Sequence, residues 1–226
     1  MCNFLKINSL SLKFGDKYIF KDINFVCKSG SVTLLKGKNG AGKTCLLQCI
    51  CSVIPKHFTP VIENQADIPA IKLSCIALER THENTFDSQI YDFGFLMQEP
   101  DKQLCFPFIE EELFFGAENL KRDINEFNQD YEMLIEMFPI LKQTEIETNA
   151  LSFGQKKILL FSAMILKNPK VFLLDEPNAG LSEEYRAKFT ELIRFLKNKG
   201  KIIIIAEHEN YFDNIADERV FLMPNA

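Results

Sequence analysis

Hydrophobic and polar positions change period several times along this chain, and each change marks an element. From Phe4 to Val26 apolar and polar residues alternate around Lys13-Phe14-Gly15-Asp16-Lys17, the two-residue repeat of short antiparallel strands joined by a turn. Ser31-Val32-Thr33-Leu34-Leu35 reads as a short buried strand. It leads into a glycine-rich turn and an apolar helix from Lys43 or Thr44 to about Ile54, closed by Pro55. Pro60 to Asp87 is irregular, with Ile71 to Leu78 as a strand candidate, and Tyr91 to Met97 reads as a further strand.

From Asp101 to Thr148 the signals turn helical: Glu110-Glu111-Glu112 precede one apolar run, and Tyr131 to Phe138 form another ahead of Pro139. A helix continues through Leu159 to Lys167, and Val171 to Leu174 is a fully apolar strand that ends on Asp175. Ser182 can cap a helix with Glu183 and Glu184 in its first turn. Its apolar positions Phe189, Leu192, Ile193 and Leu196 recur at helical spacing, and it ends at Gly200. The four isoleucines from Ile202 to Ile205 match a parallel strand covered on both faces. Strands alternating with helices predict an α/β fold with a largely parallel sheet, carrying a helical insertion.

With 226 residues, against a prior of about 150 per domain, one domain carrying a subdomain fits best. The composition, 46% hydrophobic and 25% charged, is that of globular chains and excludes disorder as the general state. Uncharged stretches such as Thr44 to Pro55 fall short of the ~18 apolar residues that span a bilayer, so no membrane span is expected. The start, Met1-Cys2-Asn3-Phe4-Leu5-Lys6, lacks a basic region followed by an apolar core, so a cytosolic location is expected. A net charge of -5 leaves no basic excess to neutralise nucleic-acid phosphates. The seven cysteines contain no C-x-x-C pair, and reduced, mostly buried thiols are expected; Cys45 and Cys49 share a helix face, where packing is favoured over metal binding. Of the three histidines, His57 and His82 fit solvated loops.

Two segments carry chemistry. Gly37-Lys38-Asn39-Gly40-Ala41-Gly42-Lys43-Thr44 fits G-x-x-x-x-G-K-[ST] between a strand and a helix, the setting of a phosphate loop. Gly37, Asn39, Gly40, Ala41, Gly42, Lys43, Thr44 and Cys45 then form a cradle whose N–H groups and helix start face the phosphates. In it Lys43 holds the β and γ phosphates and Thr44 ligates magnesium. Val171-Phe172-Leu173-Leu174-Asp175-Glu176 delivers two carboxylates at a strand's carboxyl end, Asp175 for magnesium and Glu176 to polarise the attacking water.

With those motifs in place, Leu151-Ser152-Phe153-Gly154-Gln155 resembles the LSGGQ signature of ATP-binding cassette (ABC) ATPases. The resemblance covers nearly the whole chain: Phe14 matches the aromatic that stacks on adenine, with Tyr18 as competitor, and Gln98 matches the Q-loop glutamine. Asn178 to Ser182 match the D-loop, and His208 matches the switch histidine after the last core strand. The resemblance implies an ATP-binding core with an antiparallel β subdomain and a helical subdomain, here about Glu99 to Leu166. It further implies ATP with Mg2+, Gln98 as a sensor of magnesium and attacking water, and a second ABC subunit that clasps the nucleotide from the opposite side. Ser152, Gly154 and Gln155 contact that partner's ATP through the start of a helix.

Two residues depart from the family pattern. Phe153 replaces a glycine of the signature, bringing a bulky ring towards the neighbouring ATP, and Ser182 replaces the usual D-loop aspartate; the second subunit is either another copy of this chain or, as these two changes suggest, the other half of an unequal pair. Met97 to Leu104 and Ile109 to Gly116 are similar to the corresponding segment of energy-coupling factor importers of vitamins and cobalt or nickel. An integral membrane permease is the expected partner, with the chain peripheral on the inner face of the cell membrane. Phe106, Phe108, Phe114 and Phe115 are either subdomain core, expected for at least half of them, or a groove for a permease helix. The alternative is a soluble ABC ATPase of assembly or repair, for which a basic face or long coiled coil is expected and neither is visible.

Overall fold

The computed structural model describes residues 4–14, 17–51, 76–78, 93–118 and 122–223. Strands β1 (Phe4–Phe14) and β2 (Lys17–Lys28) pair antiparallel, and β4 (Ile76–Leu78) flanks β1 on its other side. At 11 and 12 residues, β1 and β2 are not the short strands expected from the alternation. The alternation itself slips: Leu5 and Ile7 are buried, then Leu10 and Leu12. The slip falls at Ser9, whose φ of 47° lies in the left-handed region and whose N–H is taken by Asn24 Oδ1 at 2.7 Å. A bulge of this kind turns the following side chains back to the buried face.

The second sheet contains β3 (Ser31–Lys36), β5 (Phe93–Leu96), β6 (Val171–Asp175), β7 (Ile202–Ala206) and β8 (Glu218–Phe221), in the order β5-β6-β7-β3-β8 with every pairing parallel. Strand β8 corrects one expectation, since β7 is not the last core strand. Its sequence Glu-Arg-Val-Phe is mostly exposed at the sheet edge, so it lacks the apolar run of the central strands. The helices are α1 (Lys43–Ile50), α2 (Ile109–Glu118), α3 (Ile124–Met137), α4 (Phe153–Lys167) and α5 (Glu183–Asn198). Asp123, Ser152 and Ser182 accept hydrogen bonds from the first N–H groups of α3, α4 and α5. The expected continuation of α1 to Ile54 and Pro55, and His57, His82 and Cys75, lie outside the described residues.

The parallel sheet divides the interior into two cores. Val32, Leu34, Phe172, Leu174, Ile203 and Ile205 pack with α2, α4 and α5, while Leu35, Val171, Leu173, Ile202 and Ile204 pack with α1 and the antiparallel sheet. Strand residues of both parities therefore meet apolar neighbours, which is why β6 and β7 read as continuous apolar runs. The first core runs unbroken into the helical region through Ile109, Leu113, Leu134 and Phe138. The expectation for the four phenylalanines is not met. The buried stripe of α2 falls on Ile109, Leu113 and Ala117, so only Phe114 packs on the core, Phe106 and Phe115 pair at 4.7 Å, and Phe108 and Phe115 are exposed. Cys27, Cys49 and Cys51 are buried, and burial pushes the Cys27 and Cys49 thiols up to about 12. Among the described residues no group of metal-ligating side chains gathers around Cys45 and Cys49, and no helix is long and apolar enough to cross a membrane.

Candidate functional site

The turn between β3 and α1 holds the first half of the site. Gly42, at φ 88°, could not carry a side chain: a Cβ there would stand 2.7 Å from Ile19 Cγ2. It serves as N-cap without a capping side chain, and the first turn of α1 has no acidic residue, so this helix start favours an anion from outside. Lys43 is nearly buried and folds back over the turn, its Nζ donating to the carbonyls of Gly37 at 2.8 Å and Lys38 at 3.3 Å. These are neutral acceptors that a phosphate oxygen can replace with a stronger, charge-assisted bond.

Residue 44 joins this loop to the second half. Thr44 Oγ1 donates to Asp175 Oδ2 at 2.7 Å, bringing two of the three expected magnesium ligands together at the end of β6, while the third, Gln98, bonds Glu176. Burial pushes the Asp175 carboxyl above its ordinary range, against the opposing bond from Thr44. Glu176 follows with φ 45°, a left-handed conformation unusual for a residue with a Cβ, while its N–H stays in register with Ala206 O at 2.9 Å. Its carboxylate lies between two groups: Oε2 accepts from Gln98 Nε2 at 3.0 Å, and Oε1 is 3.2 Å from His208 Nδ1. Gln98, Glu176 and His208 thus follow the ends of β5, β6 and β7, three neighbouring parallel strands, at the edge where ligands of such sheets bind. The Gln98 amide is turned to Glu176.

Ser152, Gly154 and Gln155 open α4 in a capping box. The Ser152 N–H donates to Gln155 Oε1 at 2.8 Å, and Ser152 Oγ accepts from the Gln155 N–H at 3.3 Å. The groups expected to meet an anion therefore satisfy one another here. The Phe153 ring, 41% exposed, lies against Gly180 of the same chain, where a Cβ at residue 180 would stand 2.4 Å from Cδ1. The absence of a side chain at Gly180, itself at φ 77°, makes the room that the missing signature glycine would have left. Ser182 caps α5 as read from the sequence. Tyr18 is flanked by Lys13 Nζ at 5.5 Å and Lys21 Nζ at 4.9 Å, and the Phe14 side chain lies outside the described residues.

Two buried lysines escaped the sequence reading. Lys36, the last residue of β3, gathers the segment carrying His208: its Nζ is 2.9 Å from both Glu207 Oε1 and Asp213 Oδ1 and donates to Glu209 O at 2.6 Å. Burial alone would lower the Lys36 ammonium, but these carboxylates outweigh it and hold it above its ordinary value. Lys157, fully buried on α4, donates to the main-chain carbonyl of Glu176 at 2.6 Å. The sequence does not single it out, because Lys157 closes the polar stretch Gln155-Lys156-Lys157 ahead of the apolar run.

Comparison with known proteins places this geometry. A family model described as ABC transporter matches residues 20–179. The energy-coupling factor transporter ATP-binding protein EcfA3 of Clostridium perfringens is 28% identical over 221 residues, covering 97% of this chain and 74% of that protein. A putative ABC transporter ATP-binding protein of Methanosarcina acetivorans is 32% identical over 200 residues, 86% of this chain and 69% of that protein. The solved structure of cbiO1 from Clostridium perfringens, part of the ABC transporter complex cbiONQ, superposes with a TM-score of 0.71 at 26% identity, covering 98% of this chain and 85% of that one. A phosphate loop tied to a strand-end aspartate, a glutamate between glutamine and histidine, and a match running through both motifs agree: the chain belongs to the ABC transporter family, as an ATP-binding and ATP-hydrolysing transporter subunit.

Proposed function

We propose that the triphosphate of ATP lies along residues 37–45 and that Glu176 is the general base of its hydrolysis. The observation that carries this reading is the convergence of Gln98, Glu176 and His208 beside the Thr44–Asp175 pair. In it Lys43 exchanges the Gly37 and Lys38 carbonyls for the β and γ phosphates. Thr44 and Asp175 offer a hydroxyl and a carboxylate, hard oxygen donors at hydrogen-bond distance, which suit Mg2+. When bound, that ion would neutralise charge on the phosphate oxygens, and Gln98, which follows the end of the neighbouring strand β5, is the third candidate for its shell. Glu176 takes the proton of the attacking water as the water oxygen bonds to the γ phosphorus and the bond to ADP breaks. Gln98 and His208 hold the carboxylate from either side, and His208 is placed to hydrogen-bond the γ phosphate. Adenine is covered by an aromatic of the β1–β2 region, Phe14 or Tyr18.

The start of α4, with Ser152, Gly154 and Gln155, serves the γ phosphate held by a second cassette, which must then outcompete the capping box seen here. ATP thereby joins two cassettes, and hydrolysis releases them. Residues 99–166 form the helical subdomain that carries this movement to an integral membrane permease, for which the exposed Phe108 and Phe115 provide apolar contact. Likeness to EcfA3 and to cbiO1 supports an energy-coupling factor importer of vitamins or of cobalt or nickel, with this subunit peripheral on the cytoplasmic face. Lys43→Ala tests the phosphate assignment. Loss of charged hydrogen bonds of about 1.5–3 kcal/mol weakens ATP binding by roughly 10- to 150-fold, whereas unchanged affinity removes Lys43 from the phosphate site.

A further inference from the structure

We infer that Lys157 is a positioning residue for hydrolysis: from α4 it fixes the backbone turn that holds the Glu176 carboxylate between Gln98 and His208. The inference rests on the assignment of Glu176 as base. A lysine with no exposed surface is unusual, because a buried ammonium loses its hydration and normally needs a carboxylate within reach. Here the hydrogen-bond acceptor is a neutral one, the carbonyl of Glu176 at 2.6 Å. Burial holds the ammonium down to about 8, with Glu176 and Asp175 acting the other way. For packing alone, an apolar side chain of the same length would serve better.

The carbonyl that Lys157 holds belongs to the residue with the least favourable backbone in the site, Glu176 at φ 45°. The same carbonyl accepts from the Ala179 N–H at 3.2 Å, so the ammonium and the turn grip one atom together. A rotation of this peptide would carry the carboxylate away from Gln98 at 3.0 Å and His208 at 3.2 Å, both contacts lying at the end of a short side chain. Lys157 does not act alone on this turn. Phe153, one helical turn earlier on the same face of α4, lays its ring on Gly180, with Lys157 Nζ 5.3 Å from the ring centre. The first turns of α4 and the turn 176–180 therefore form one packed unit, which ties the helix carrying Ser152 to the backbone of the proposed base.

The test uses the full chain with Lys157→Met and Lys157→Gln, each made in the wild-type and in the Glu176→Gln background. Lys157→Met keeps the length and removes the donor. It lowers kcat by about 10²-fold, the scale of a roughly 1 Å misplacement, while the dissociation constant for ATP stays within about threefold because the loop 37–45 is untouched. In the Glu176→Gln background it adds no further loss, because a group acting through Glu176 has nothing left to position. Lys157→Gln, whose amide still donates, recovers part of the rate; should Lys157→Met fail to fold, Lys157→Leu, which also removes the donor, decides by the same two readings. Turnover within threefold of wild type, or an equal loss repeated on top of Glu176→Gln, overturns the inference and leaves the base assignment standing. Wild-type turnover in Glu176→Gln overturns the base assignment and this inference with it.

Discussion

Replacing Glu176 by Gln removes a proton acceptor and almost nothing else. The amide matches the carboxylate in size, and its oxygen can still accept from Gln98 Nε2, which stands at 3.0 Å in the native site. His208 Nδ1, at 3.2 Å, can exchange donor for acceptor by changing tautomer to meet the new N–H. Lys43, Thr44 and Asp175 lie on other bonds and keep them. The loss is therefore that of general-base catalysis, about 10² to 10⁴ in kcat, or roughly 3 to 5.5 kcal/mol of barrier. ATP affinity should stay within about threefold, since ground-state binding uses residues 37–45. Phosphate release at saturating ATP and magnesium measures the first quantity, and titration with a fluorescent ATP analogue the second. A variant that turns over within threefold of wild type refutes Glu176 as base. One that loses rate and affinity together shows instead that the carboxylate shapes the nucleotide site.

Other consequences follow from single contacts. Gly180→Ala puts a Cβ 2.4 Å from the Phe153 ring at a φ of 77°, so urea denaturation should show a loss of about 1–3 kcal/mol, and Phe153→Ala in the same chain should restore part of it. Burial holds the Lys201 ammonium at about 8 against an ordinary value of 10.5. The unfolded chain then binds more protons across that interval, so stability rises as pH increases from about 8 to 10.5, and Lys201→Met should flatten part of that rise in thermal melts. Asp217 is lowered as well, but by its partners and not by burial. Burial alone would raise it, but Lys197 and the Val32 N–H outweigh burial and leave its carboxyl below the ordinary range. Its stabilisation is present above that range and lost as pH falls through the lowered value, a loss that Asp217→Asn should remove from acid titrations.

What the sequence made legible was contiguous. The phosphate loop sits in one run of eight residues, and the strand that delivers Asp175 and Glu176 announces itself by five buried positions in a row. Central strands and well-capped helices were equally readable, because burial on both faces and a serine N-cap leave marks inside each segment. Edge strand β8 was not, since half-exposed Glu218 and Arg219 remove the apolar run. The bulge at Ser9 was hidden because its cause, the Asn24 side chain, comes from the other strand of the pair. The packing of the Phe153 ring over Gly180 was hidden because the two residues lie 27 positions apart in the chain. Lys36 and Lys157 were silent for the same reason: their partners Glu207 and Glu176 lie 171 and 19 residues away.

The central claim concerns where the triphosphate sits, and a crystal structure of the Glu176→Gln chain grown with ATP and magnesium tests it most directly. The account predicts phosphate oxygens against the N–H groups of residues 40–45, Lys43 Nζ withdrawn from the Gly37 carbonyl and placed on the β and γ phosphates, and the metal between Thr44 and Asp175. Phosphates bound away from this turn, with Lys43 still 2.8 Å from Gly37 O, would contradict it.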